Sequence, residues 1–238
     1  MEDKMADETL IAGADGCRSG WILAVLDGGA VRLEHVPTGG LGAWVTRLAV
    51  LAIDIPIGLP SEGSRACDLE ARQRLPGAGS RVFPAPRRAM LGAGSYKEAC
   101  EIGRGIDGKA LSRQAWAITP KIKEVDALWG ALDEPGRVRE VHPEVSFGAW
   151  AGKVLGSKHS AKGRGDGREE RLDLVNRRWS ALAAAIRGLP KSGKGIRQED
   201  ALDACAALWT AERILCGEAT ALGGAARDAS GRPMEIVY

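Results

Sequence analysis

The sequence predicts an α/β protein: a five-stranded mixed sheet of three antiparallel strands and then parallel ones, flanked by helices and carrying a mainly helical insertion. Residues 9–36 hold three strand-like runs separated by tight, Gly-containing turns. An apolar helical stripe then leads into another apolar strand, and the last strongly helical stretch follows a Gly/Lys-rich loop. Hairpins first and a helical crossover afterwards make a mixed sheet.

In chain order, Thr9 to Ala14 is an apolar run ending in Asp15-Gly16, and Trp21 to Leu26 is another, followed by Asp27-Gly28-Gly29. A third run, Ala30 to Val36, alternates Val31, Leu33 and His35 with Arg32 and Glu34. Short turns between such runs predict an antiparallel meander. Strands 1 and 2, apolar on both faces, belong at the centre of the sheet, and strand 3 at an edge. Leu41, Trp44, Val45 and Leu48 then mark one helical stripe, and Val50 to Ile55 reads as strand 4, ended by Pro56, Gly58 and Pro60. A right-handed crossover makes strand 4 parallel to strand 1.

Residues 61–135 read as short helices (about 65–75, 95–103, 110–117 and 120–129), with Thr119-Pro120 as N-cap and first turn of the last. They form an insertion within a single domain spanning residues 1–238. Arg137 to His142 is predicted as strand 5 and Pro143 to Trp150 as a helix. A basic, Gly-rich loop covers residues 152–168, and helices from Glu169 to Arg187 and from about Glu199 to Leu215 complete the chain.

Apolar residues make up 45% of the chain and charged residues 27%, which is ordinary for a globular protein. With seven Trp against two Tyr and two Phe, the core is expected to be aliphatic with Trp as its large anchors. A formal net charge of +2 gives no general attraction for nucleic acid, so any basic surface has to be local. The five cysteines are scattered and form no C-x-x-C pair, which fits a reducing cytoplasm better than a disulfide framework. Met1 to Glu8 is acidic, without the basic-then-apolar order of an export signal, and no apolar run approaches the ~18 residues of a membrane span. The expectation is a protein neither exported nor membrane-embedded.

Five acids carry the chemical argument. Asp200 and Asp203 stand three residues apart on the last helix, on the stripe continued by Ala204, Ala207, Ala211 and Ile214. Two acids therefore point along a face that the helix buries, although they also complement the positive helix N-terminus. Asp54 interrupts the apolar run Leu51 to Ile57, where a charge is expensive unless capped, paired or metal-bound. Asp15 is half of an Asp-Gly turn signal, and Glu140 shares the parity of Val138 and His142 in strand 5, where it is either a ligand or an ion-pair partner of an Arg. Pairing of strands 1 and 4 would set Asp15 beside Asp54, and a docked last helix would add Asp200 and Asp203. Such acids repel unless neutralised, and their hard oxygens suit Mg2+ or Mn2+, ions that activate water in phosphodiester hydrolysis.

These features, with the blocks G-A-D-G-C-R-S-G-W (Gly13 to Trp21), D-I-P-I-G-L-P (Asp54 to Pro60), R-x-C-D-x-x-A-R (Arg65 to Arg72), P-K-I-K-E-V-D (Pro120 to Asp126), E-V-H-P-E (Glu140 to Glu144) and E-D-A-L-D-A (Glu199 to Ala204), resemble the family called domain of unknown function 429. The resemblance runs in order over nearly the whole chain. It implies an RNase H-like fold related to the RuvC branch, and a nuclease in which Asp15, Asp54, Asp200 and Asp203 hold the metal. Asp54 stands where that branch usually has Glu, which brings Glu140 forward as a substitute ligand.

Arg65, Arg72 and Lys121 from the insertion and Lys158 from the basic loop are the candidate phosphate contacts, each equally readable as solvated surface. Trp116 and Trp129 are either core anchors or base-stacking platforms. The leading expectation is a metal-dependent nuclease acting on DNA or RNA. A phosphotransferase of the actin and hexokinase type and a non-catalytic binding module are the alternatives, and both monomer and homodimer remain open.

Overall fold

The computed structural model describes residues 9–156 and 167–238. In chain order its elements are β1 (Ile11–Cys17), β2 (Gly20–Asp27), β3 (Ala30–Pro37), α1 (Leu41–Val45), β4 (Val50–Ile53), α2 (Ala66–Gln73), α3 (Tyr96–Asp107), α4 (Arg113–Ala131), β5 (Val138–Glu140), α5 (Pro143–Ala151), α6 (Gly167–Arg178), α7 (Ser180–Arg187), α8 (Gln198–Leu215) and the two-residue strands β6 (Ala221–Leu222) and β7 (Ile236–Val237). No helix among the described residues is long and apolar enough to cross a membrane.

The chain divides into two compact units. The described residues within Met1–Asp54, Glu134–Thr220 and Val237–Tyr238 form the first, and Ile55–Asp133 with Ala221–Ile236 form the second.

The first unit is built on a five-stranded sheet in the order β3-β2-β1-β4-β5. β1, β2 and β3 pair antiparallel, whereas β4 is parallel to β1 and β5 is parallel to β4. This is the RNase H-like arrangement, with the meander, central strands and β3 edge as the hydrophobic patterning predicts. Register decides which side chains share a face, because successive residues of a strand alternate. Ile11, Ile22, Ala24, Val50, Ala52 and Val141 lie in one core with Ala204, Ala207, Leu208 and Ala211 of α8 and with buried residues of α5, α6 and α7. Trp150 stacks on Phe147 at 5.9 Å and on Trp209 at 5.6 Å and meets Trp179 edge-on, so these Trp residues are anchors of that core.

Three local predictions are corrected. The helix after Leu41 stops at Val45, short of Leu48. The two short helices predicted around Thr119-Pro120 are one, α4, capped by the Ser112 hydroxyl, which accepts the Ala115 N–H at 3.1 Å. Thr119 lies inside it and donates its hydroxyl back to the Ala115 carbonyl at 3.1 Å, so the cap-and-first-turn reading of this pair is wrong. The long helix predicted from Glu169 is two, α6 and α7, broken at Trp179 (φ −142°).

The second unit has its own small core of Met90, Ala93, Ala99, Cys100, Leu111 and Ala115, with Tyr96, Ile102 and Trp116 packed on it. The segment after α8 also belongs largely to this unit. In it Asp228 accepts the N–H groups of Leu59, Ser230 and Arg232 at 3.1, 2.8 and 3.0 Å and pairs with Arg88.

Candidate functional site

Two of the predicted acids end adjacent parallel strands. Asp15 is the fifth residue of β1, opposite Ile22 of β2. Asp54 is the residue after β4, and its N–H donates to the Ala14 carbonyl at 3.0 Å, which extends the β1–β4 ladder by one step. This sets Asp54 beside Asp15, and the pleat carries both to the face of Gly13 and Ala52. Both are partly buried. The carboxyl ends of parallel strands are where open α/β sheets present their sites.

The other two acids arrive on α8, which lies across that face. A Cβ added to Gly13 would stand 1.9 Å from the Leu208 nitrogen, 2.3 Å from the Ala204 carbonyl oxygen and 2.5 Å from the Ala207 carbonyl carbon. The helix backbone therefore rests directly on the strand backbone, which only glycine permits. From Gly13 to Asp15 the strand advances by about 6.6 Å. From Ala204 back to Asp200 the helix retreats four residues, about 6 Å. Asp200 and Asp203 thus occupy the end of the sheet-facing stripe, 3% and 9% exposed.

Asp200 also closes the first turn of its own helix. Its Oδ2 reaches back from the third helical position to accept the Arg197 N–H at 2.9 Å, and accepts the Nε of Arg197 at 3.3 Å. Its Oδ1 accepts from Nη2 of Arg197 at 2.5 Å. The Arg197 guanidinium lies 3.7 Å from Glu199 as well. Its hydrogen bonds to Asp200 hold its pKa above the ordinary arginine value against the opposing effect of burial, aided by the negative charges of Asp200, Glu199 and Asp15. The charge of Asp15 contributes because α8 lies against β1. Lower in the helix, complete burial and then the charge of Asp203 push the Cys205 thiol far up, so that thiol is inert.

Other candidates are placed elsewhere. Glu140 pairs in register with Ile53, and the Val141 N–H donates to the Ile53 carbonyl at 3.0 Å. Val141, not Glu140, therefore stands level with Asp54 on the α8 side, and Val141 belongs to that core. Glu140, 4% exposed, lies on the opposite face, so the sheet does not bring it to Asp15 as a substitute ligand. Within the second unit, Arg65 is 2% exposed, paired with Asp68 at 2.6 Å and donating to the Gly58 carbonyl at 3.0 Å. Its guanidinium is built into the fold. Arg72 donates Nε and Nη2 to the Val82 carbonyl at 3.1 and 3.0 Å. Lys121 is partly buried on α4. Lys158 lies outside the described residues.

Several blocks of the motif pattern are accounted for by architecture. Gly58 of D-I-P-I-G-L-P would place a Cβ 2.3 Å from the Pro233 carbonyl oxygen. Glu144, the last residue of E-V-H-P-E, accepts with both carboxylate oxygens from Nη2 of the fully buried Arg171 at 2.7 and 2.8 Å. Asp126, which ends P-K-I-K-E-V-D, pairs with Arg88 and Arg232, both at 3.0 Å. Arg197 is the site residue that motif reading misses. Its signal is the spacing Arg197-x-x-Asp200 at the mouth of a helix, where an Asp at the third helical position reaches back to the N-cap.

The donor types at this face, hard carboxylate oxygens, fit Mg2+ or Mn2+. Their arrangement provides less: among the described residues no three His, Cys, Asp or Glu side chains gather as a group able to hold a metal ion. Asp200 has both oxygens turned to Arg197.

A family model described as Protein of unknown function (DUF429) matches residues 13–227, from Gly13 in β1 to Arg227 beyond α8. No curated protein and no solved structure matches the chain.

Proposed function

Because the chain belongs to the family Protein of unknown function (DUF429), its activity has to be read from its own site, and we propose a divalent-metal-dependent nuclease that hydrolyses phosphodiester bonds of nucleic acid. One observation carries the reading: Asp15 and Asp54 end adjacent parallel strands side by side, on the face where α8 lays Asp200 and Asp203. Four acids on one sheet face favour positive charge there. Mg2+ or Mn2+, when bound, would supply an activated water and stabilise charge at the scissile phosphate. Asp15 and Asp54 would be its principal donors, with Asp200 and Asp203 beside them. All five cysteines are free thiols, which supports a reducing compartment such as the cytoplasm as the place of action.

The test is cleavage of single-stranded, hybrid and branched nucleic acids by the purified protein in Mn2+. Asp15→Asn and Asp54→Asn are each expected to lose more than the ~100-fold typical of outer-sphere partners of a metal. If nothing is cut, or if both variants cut like the unaltered protein, the nuclease reading is abandoned. The Arg197–Asp200 pair favours a second reading, a non-catalytic RNase H-fold binding module with an internally neutralised acidic face. Tight nucleic-acid binding that persists in chelator, without cleavage, would select it.

A further inference from the structure

This near-neutral chain gathers positive charge in one stretch of its second unit. Between Glu70 and Glu98 stand five Arg and one Lys and no acid. Arg87 and Arg88 are spent on ion pairs with Asp107, Asp126 and Asp228. Arg72 and Arg81 instead flank Phe83, the first by a bond to the residue before it and the second two positions away in the chain. We propose that this strip docks single-stranded nucleic acid, with Phe83 stacking on a base and Arg72 taking a neighbouring phosphate. The proposal rests on the reading of nucleic acid as the substrate and needs no metal ion.

Residues 82–85 are strapped to α2 at both ends. Arg72 donates Nε and Nη2 to the Val82 carbonyl at 3.1 and 3.0 Å, and Asp68, one turn earlier, accepts the Ala85 N–H at 3.2 Å. Val82 and Ala85 are buried, whereas Phe83 between them is 48% exposed. Pro84 and Pro86 fix their own φ and bias Phe83 and Ala85 to extended backbone, so the ring is displayed on a stiff segment. Leu69, on α2 between Asp68 and Arg72, is 46% exposed. Two of the three large apolar side chains exposed among the described residues therefore lie on this one strip.

Both bonds of Arg72 go to a neutral carbonyl, which orients the guanidinium without cancelling its charge, and Nη1 takes no part in them. A guanidinium oriented in advance loses less freedom when it takes a phosphate. The two acids of α2 are engaged elsewhere: Asp68 is buried in its pair with Arg65, and Glu70 accepts the Gly223 N–H at 3.0 Å. A displayed ring beside a fixed cation matches the two parts of an unpaired nucleotide, its flat base and its phosphate. In a duplex the bases cover one another's faces, so the ring selects single strands. An acidic protein segment would satisfy the arginines and leave the ring without a planar partner.

The experiment is fluorescence anisotropy of labelled oligo-dT, oligo-U and a duplex of equal length with the full chain, in EDTA. Phe83→Ala is expected to weaken single-strand binding about tenfold, as for loss of one stacked base, and Phe83→Trp to bind at least as tightly as the unaltered protein. Arg72→Gln is expected to lower the slope of log affinity against log salt by about 0.7, one phosphate contact on a single strand. The tighter of oligo-dT and oligo-U identifies the strand chemistry, and either satisfies the proposal. Binding by Phe83→Ala within about twofold of the unaltered protein, a duplex bound as tightly as single strands, or no oligonucleotide bound at all overturns it. Polyglutamate competing as well as unlabelled oligonucleotide marks a surface for acidic protein and overturns it too. If Arg72→Gln fails to fold by circular dichroism, Phe83→Ala decides, because its ring lies on the surface. Cleavage in Mn2+ with a KM that Phe83→Ala leaves unchanged overturns the strip and leaves the nuclease reading standing. Phe83-dependent binding without cleavage upholds the strip and removes the nuclease.

Discussion

Asp200 and Asp228 are both buried acids, and their neighbours give them opposite meanings. Asp228 is saturated by three backbone N–H groups and the Arg88 guanidinium. Burial alone would raise its pKa, but the bonds from Leu59, Arg232, Arg88 and Ser230 outweigh it and hold the carboxyl below the usual range. A depressed native pKa means that the unfolded chain takes up the proton first as pH falls below about 4. The contribution of Asp228 to stability is therefore complete above about pH 5 and is lost as pH falls toward its native pKa. Asp228→Asn is expected to flatten this acid limb, read from unfolding free energies between pH 2 and 7; an unchanged limb would show that Asp228 contributes nothing to it. In sequence, Asp228 stands in an Asp-Ala-Ser-Gly stretch that reads as a turn, and its partner Leu59 is 169 residues away. In sequence Asp54, Asp200 and Asp203 stand out because each breaks an apolar pattern and Asp15 because it ends an apolar run, whereas the bonds of Arg197 to Asp200 are visible only once the turn is folded.

At the scale of elements, the contact of α8 with β1 is the most sensitive joint. Gly13→Ala is expected to cost at least about 3 kcal/mol, since the clash is with helix backbone and no side chain can turn aside. Denaturant unfolding measures it, and a loss below 1 kcal/mol would mean that α8 shifts without penalty. The sheet was legible because its strands alternate or run apolar and its turns carry Gly, features that a period of two makes plain. Helix boundaries were less so. Pro120 looks like a first-turn residue, yet the Ser112 cap starts α4 earlier and the helix continues through it. The face occupied by Glu140 was not readable either, because parity within strand 5 says nothing of its register against strand 4.

For the whole molecule, the chain passes between its two units at four places, after Asp54, Asp133, Thr220 and Ile236. The residues following α8 serve both units in turn. In the first, Val237 bridges Val141, and Tyr238 and Thr220 exchange backbone bonds at 2.8 and 2.9 Å. In the second they supply Asp228. A chain ending at Thr220 is thus expected to melt well below the full chain or to be insoluble; an unchanged melting temperature would show the tail to be dispensable. The strand pattern is lost after Pro60, and no local feature announces that the last two residues return to the first unit. The joint at Gly13 has one more consequence. Where two backbones touch, their separation is fixed by van der Waals contact between main-chain atoms, so aliphatic exchanges elsewhere in the core leave the reach from Asp15 to the acids of α8 unaltered. The spacing of the site is in this way insulated from drift in the packing that surrounds it.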